Sequence, residues 1–259
     1  MKKLTINIFL IIGLFATLSC SKEEDNATPN SSATDLTGCK VISMTNENYK
    51  IVYAYNTNGT IKTVTEYYAS DTTTPVEVYT YTHTNGSVTY VNKSMRERGY
   101  YTINAAGRVT TSDIIYYDGP DSSTATSGKM TGYEYNTDGY LNKKTVTFSS
   151  AAGASTTIYS YIWMNGNITN EITVSQSGST SNTAYTYYTD KSNAFSSLTS
   201  LTEFIGPDSK NLVKAITNAT TGSLNESYSY EFDASGKPIK TTVTDNSNTY
   251  TFTSTFMCP

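Results

Sequence analysis

Few side chains in this 259-residue chain are equipped for chemistry, and their spacing excludes most of it. His83, in Thr82-His83-Thr84-Asn85-Gly86, is the single histidine. Any Ser-His-Asp relay would have to pass through it, and no Gly-x-Ser-x-Gly elbow is present. It reads as an exposed turn residue, and no catalytic residue is assigned. The three cysteines form no Cys-x-x-Cys, and without a histidine pair there is no zinc set. The segment Asp118-Gly119-Pro120-Asp121 offers too few oxygens at fixed spacing for a calcium loop. No metal and no cofactor is expected. The 22 acids leave one enzymatic alternative, a carboxylate-based glycoside hydrolase whose two acids meet only in space. The expectation is that the chain is not an enzyme.

Aromatic rings carry more information. There are 23 Tyr against 8 Phe and one Trp, so most rings bring a hydroxyl that can face water or a polar partner. Tyr-x-Tyr spacing puts two rings on one face of a strand, where cross-strand ladders hold a sheet together. Doublets differ, because strand neighbours point to opposite faces. In Tyr67-Tyr68, Tyr100-Tyr101, Tyr116-Tyr117 and Tyr187-Tyr188 one ring must leave the packed side. Tyr68, Tyr117 and Tyr188, together with Trp163 in a hairpin tip, are therefore the candidate contact surface for a polysaccharide or a protein.

The elements that position these rings repeat. An aromatic residue, a spacer and a second aromatic or aliphatic residue open a strand at Tyr53, Tyr79, Tyr101, Tyr133, Tyr159, Tyr185, Tyr228 and Tyr250, at intervals of 22 to 43 residues. Such self-similarity marks a repeat architecture. The cleanest copies are Tyr53-Ala-Tyr55-Asn56-Thr-Asn-Gly59-Thr-Ile61 and Tyr133-Glu-Tyr135-Asn136-Thr-Asp-Gly139-Tyr-Leu141. Asn-Gly or Asp-Gly at 58–59, 85–86, 138–139 and 165–166 supplies the hairpin turns. Period-two alternation, as in Tyr228-Ser-Tyr230-Glu-Phe232-Asp, and the lack of a helical apolar stripe beyond the leader make the chain all-β. About 14 antiparallel strands are expected in a meander, as an open curved sheet or a barrel-like one. One insert, residues 191–206, interrupts the repeat. Its Phe195, Leu198, Leu201, Phe204 and Ile205 are spaced for short helical turns that cap or plug the sheet, the alternative being a long functional loop.

Residues 1–19 read as a secretory leader: Lys2 and Lys3, then an apolar stretch from Leu4 to Leu18 that is short for a membrane span. Thr17-Leu18-Ser19-Cys20 resembles a bacterial lipobox, which implies that Cys20 is lipidated and becomes the mature N-terminus, tethering the protein to the membrane. Ser21-Lys22-Glu23-Glu24-Asp25 looks like the acidic tag that sends Bacteroidetes lipoproteins to the outer face of the outer membrane. Residues 20–37 form a polar tether and 38–259 a single repeat domain. The mature chain keeps 16 basic residues against 22 acidic, with no basic run, which argues against nucleic acid as a partner. With Cys20 lipidated in an oxidising compartment, Cys39 and Cys258 are left to pair as a disulfide.

Tyr-x-Tyr-Asn-x-x-Gly-x-[Ile/Leu] is similar to the tyrosine–aspartate repeat of Rhs-type β-hairpin proteins. Gly107-Arg108-Val109-Thr110 keeps the ending of that repeat, and Asp233 after Phe232 keeps its acid. Rhs shells enclose toxins with far more repeats, so that activity is not implied. A closer resemblance is to uncharacterised Bacteroidetes lipoproteins with the same hairpins, carried by Asp190-Lys191-Ser192-Asn193-Ala194-Phe195 and Ser209-Lys210-Asn211-Leu212. It implies fold and an outer-membrane location only. The expected function is binding of extracellular glycan or protein; the alternative is a structural envelope lipoprotein that joins a complex through its sheet edge.

Overall fold

A computed structural model describes residues 39–119, 122–196 and 208–258; the leader, the tether and the part of the insert beyond residue 196 lie outside them. The strands are β1 (Lys40–Thr45), β2 (Tyr49–Tyr55), β3 (Ile61–Tyr68), β4 (Asp71–Thr84), β5 (Ser87–Asn92), β6 (Glu97–Ile103), β7 (Val109–Tyr117) and β8 (Ala125–Tyr135). They continue as β9 (Leu141–Ser150), β10 (Gly153–Met164), β11 (Asn167–Ser175), β12 (Thr180–Ser192), β13 (Asn211–Asn218), β14 (Leu224–Phe232), β15 (Pro238–Asp245) and β16 (Thr249–Met257). Each pairs antiparallel with its sequence neighbours, and β1 pairs with β16, so sixteen strands close into a barrel.

That is two strands more than the spacing predicts, for a physical reason. Every aromatic copy opens one strand and needs a return strand, and eight copies therefore make sixteen. Return strands such as β5 have six residues and no motif of their own. The last copy, at Tyr250 on β16, finds its return strand in β1 at the opposite end of the chain. Seven hairpins have a chain connection at this end of the barrel; the eighth has the Cys39–Cys258 disulfide, which spans 219 residues of sequence. The covalent link stands where a turn would be.

The repeat turns explain the Asn or Asp that follows the rings. In Asn136-Thr-Asp-Gly139-Tyr140, the Asn136 N–H donates to the Tyr140 carbonyl at 2.9 Å, and its Oδ1 accepts from the Tyr140 N–H at 2.9 Å. Gly139 sits at φ +85°, the left-handed conformation that closes the loop. At Asp233 the same acceptor role falls to a carboxylate. The Lys237 and Ser235 N–H groups that it accepts hold its pKa down at about 2.

The last ring of most copies pegs one repeat to the one before. The Tyr55 hydroxyl donates to the Val41 carbonyl at 2.6 Å, Tyr135 to Val109 at 2.7 Å, Tyr187 to Ile168 at 2.8 Å and Tyr230 to Val213 at 3.0 Å. Each acceptor belongs to an apolar residue within the first three positions of the preceding strand, and Val41 and Val109 are fully buried. The residue before the acceptor covers the same ring: Lys40 Nζ lies 5.1 Å from the Tyr55 centroid, and the Arg108 guanidinium 5.7 Å from that of Tyr135. The Arg of Gly107-Arg108-Val109-Thr110 thus has a structural task.

Candidate functional site on the inner wall

Register assigns the two faces of the wall. Tyr53, Val64, Tyr79, Asn92, Glu97 and Tyr116 lie side by side across β2 to β7, and Val64, at 1% exposure, marks this row as inner. The row Thr82, Thr89, Tyr100, Asp113, Met130 and Thr147, on β4 to β9, lies on the other face. A sixteen-strand closure is of the size at which barrels enclose a lumen. Here the inner wall is built of tyrosines and acids packed against one another, Tyr53, Tyr79, Tyr90 and Glu171 each being 9% exposed or less.

Carboxylates meet tyrosines there in a recurring pair. Tyr79 donates to Glu77 at 2.8 Å, with Asn92 adding a bond to the same oxygen at 3.3 Å. Tyr228 donates to Glu226, and Tyr90 on β5 donates to Glu97 on β6. Glu77 and Tyr79, like Glu226 and Tyr228, are two residues apart on one strand and so share a face. That signal is legible as an acid two places before a repeat tyrosine, and the sequence reading missed it. Glu66 is opposite Glu77. Burial, and then the Glu77 charge, push the Glu66 carboxyl up to about 7.

A second acid lies on the far side of the barrel. Glu171 pairs in register with Tyr161 and Thr183 and is 2% exposed. Thr173 donates to its Oε1 at 3.2 Å, while Oε2 has no hydrogen-bond partner. Burial raises its pKa to about 7 against the opposing pull of Lys144 and Thr173. Lys144 itself sits 4.7 Å over the Tyr159 ring. Burial also raises the Glu97 carboxyl, with Tyr90 and Lys129 acting against it.

Carboxyls with raised pKa values contribute stability fully present below their ordinary value near 4.5 and lost as pH climbs through about 7. The urea midpoint should therefore fall from pH 5 to pH 8. Glu171→Gln should remove about 2 kcal/mol of that fall, leaving the pH 5 stability close to wild type. A variant with an unchanged pH dependence would contradict the assignment.

The residues singled out from sequence do not assemble into one outer patch. Tyr68 is on the inner face, not the outer: it pairs with Tyr49, two places from Ile51 and Glu66, and the two rings are 5.5 Å apart. The outward member of that doublet is Tyr67. Tyr117 is half-buried beneath the Arg98 guanidinium, 4.5 Å from its ring. Tyr188 donates to the Tyr228 carbonyl at 2.9 Å and meets the Tyr230 ring edge-on. Trp163 lies within β10 and not at a tip. It stacks on Tyr140 at 4.4 Å and donates to the Leu141 carbonyl at 2.7 Å, so it occupies the peg position of its repeat. His83 occupies the same position: it is half-buried at the end of β4, with Nε2 2.7 Å from the Ile61 carbonyl, and so bears the Nε2 proton. Cys39 and Cys258 are bonded as expected. Cys20 and the tag residues Ser21, Lys22, Glu23, Glu24 and Asp25 lie outside the described residues.

The two rims differ. The disulfide, the chain termini of the barrel and the insert share one rim. There Phe195, the insert's first aromatic residue, packs on Phe256 of β16 at 5.6 Å, reaching past β13, β14 and β15. At the far rim, inner-face rings next to the turns stand in solvent: Tyr68, Phe148 and Tyr250 are between 37% and 51% exposed. Their inward orientation follows from register, Phe148 pairing with Lys129 and Tyr250 with Val243.

This is a closed, sixteen-strand, up-and-down antiparallel barrel. No family model matches the chain, and no curated protein matches it. Among solved structures it is similar to a porin-like protein from Bacteroides uniformis, with a TM-score of 0.64 at 14% identity over 84% of this chain and 98% of that one. A porin-like protein from Bacteroides vulgatus gives a TM-score of 0.56 at 13% identity with the same coverage. At such identities the likeness is one of fold.

Proposed function

We propose that the protein is a lipid-tethered component of a bacterial envelope that takes a neutral glycan chain at its far rim. The observation that carries this reading is the set of exposed inward rings at that rim, Tyr68 on β3, Phe148 on β9 and Tyr250 on β16. Aromatic faces give a sugar ring a stacking platform, and the carboxyl and phenol groups behind them accept and donate to hydroxyls. Glu66, Glu77, Glu97, Glu171 and Glu226 share the inner wall with two lysines, Lys129 near Glu97 and Lys144 near Glu171, so acid is in excess there and anionic polymers are disfavoured. The leader with its lipobox-like Cys20 and the fold shared with Bacteroides porin-like proteins support an envelope location. A partner adding to a sheet edge finds less support, because β1 and β16 occupy each other's edges.

Electrophoresis of the protein through gels containing soluble polysaccharides tests this directly. Retardation is expected in at least one neutral glucan or mannan gel, together with free migration in alginate. Free migration in every neutral gel, or retardation by alginate alone, would overturn the reading.

A further inference from the structure

We infer that the outer wall faces water over its whole height, so that the barrel stands outside the bilayer instead of crossing it. Two independent observations carry this. The first is the composition of the outer face. A lipid-facing wall needs a continuous apolar band about 25 Å tall, flanked by aromatic girdles. The mid-height row here reads Thr82, Thr89, Tyr100, Asp113, Met130 and Thr147, with Asp113 at the centre of β7. On the opposite side, Ser229, Thr242 and Thr251 form a corresponding row across β14 to β16. Solvent-facing ion pairs bridge neighbouring strands, Lys143 to Glu134 at 2.8 Å and Lys240 to Glu231. Outward apolar side chains stand singly or in twos among hydroxyls and charges: Met130 lies between Asp113 and Thr147, and Ile158 with Val174 between Thr145 and Thr180.

The second observation is strand length. A strand that crosses the hydrocarbon core needs about 9–11 residues. β1 and β5 have six each, and β2 and β6 have seven. Since β1 closes the barrel against β16, the wall is short at its own seam as well as at β5 and β6. A bilayer fitted to that seam would meet turns and unpaired backbone, which hydrocarbon does not tolerate.

The inside-out arrangement follows. Rings and acids occupy the inner face, hydroxyls and charges the outside. Resting on the tethered reading above, lipid on Cys20 would tether the barrel by the rim where the chain enters β1, leaving the far rim as the free end.

The test uses the mature chain, residues 20–259 with Cys20→Ser, exported behind a leader whose removal does not depend on lipidation. Expected is a secreted product that stays in solution without detergent, with the Cys39–Cys258 bond formed and a β-sheet circular dichroism spectrum. A product that stays in membranes after a carbonate wash, or that needs detergent to remain dispersed, would overturn the inference. A parallel measurement on the wild-type protein in its own membranes guards against a variant that fails to fold. A carbene reagent dissolved in the acyl chains should label the N-terminal peptide and spare β7 to β9, whereas label on Ile115 or Met130 would overturn the inference. Wild-type protein found wholly in the aqueous fraction would remove the tether and leave the water-facing wall supported, which separates the two readings.

Discussion

Serine at both Cys39 and Cys258 is expected to lower the stability of the barrel by about 5 kcal/mol, the chain-entropy value for a closed loop of 219 residues. For a domain of this size that corresponds to a fall in melting temperature of roughly 10–20 °C. The size of the effect follows from where the bond sits. Seven hairpins bring their two strands together through a local connection, whereas β16 must find β1 across the whole chain. The bond holds that last pair together in the unfolded state, so its removal acts on closure more than on any single contact. Thermal unfolding of the double variant, followed by circular dichroism, checks this. A shift of less than about 3 °C would mean that the seam is held by its ladder alone.

Trp163→Ala should cost about 3 kcal/mol, at the low end for a large aromatic side chain because the ring is only half-buried. Three things go together: the stack on Tyr140, the bond to the Leu141 carbonyl, and the link between β10 and β9 that the bond provides. Trp163→Phe should keep the stack and lose about 1 kcal/mol for the missing donor. Urea unfolding of the two variants separates these contributions. An alanine variant as stable as wild type would place Trp163 outside the packing and return it to the exposed contact surface expected from its sequence position.

How far the fold was legible depends on what each signal reports. Tyr-x-Tyr alternation and the Asn-x-x-Gly turns report local geometry, and they identified the hairpins. Closure has no local signal. Only the two cysteines at the ends of the domain point to it, and β1, lacking an aromatic motif, gives no sign that it completes the copy at Tyr250. Which ring of a doublet faces outward is likewise a matter of register. The β3–β4 ladder slips at Glu66/Tyr67 and again at Tyr67/Tyr68, and Tyr68 ends on the inner face beside Tyr49. The peg residues were hidden for a different reason. Tyr55, His83, Tyr135 and Trp163 are chemically unlike, yet each offers one N–H or O–H at the end of a flat side chain, and that shared donor is what the position requires. A search by residue type sees a lone histidine and a lone tryptophan; a search by repeat position sees the same contact made again.

Glycan binding is proposed at the inner far rim and not on the outer wall. It is tested most directly by comparing two variants in the neutral-polysaccharide gel that retards the wild type. One carries Tyr68→Ser, Phe148→Ser and Tyr250→Ser at the inner far rim; the other carries Tyr100→Ser on the outer wall. Both replace exposed rings, so neither should shift the melting temperature by more than a few degrees. The inner-rim variant is expected to lose at least tenfold in affinity, and the outer-wall variant to bind as the wild type does. Loss of binding in Tyr100→Ser with retention in the inner-rim variant would contradict the account.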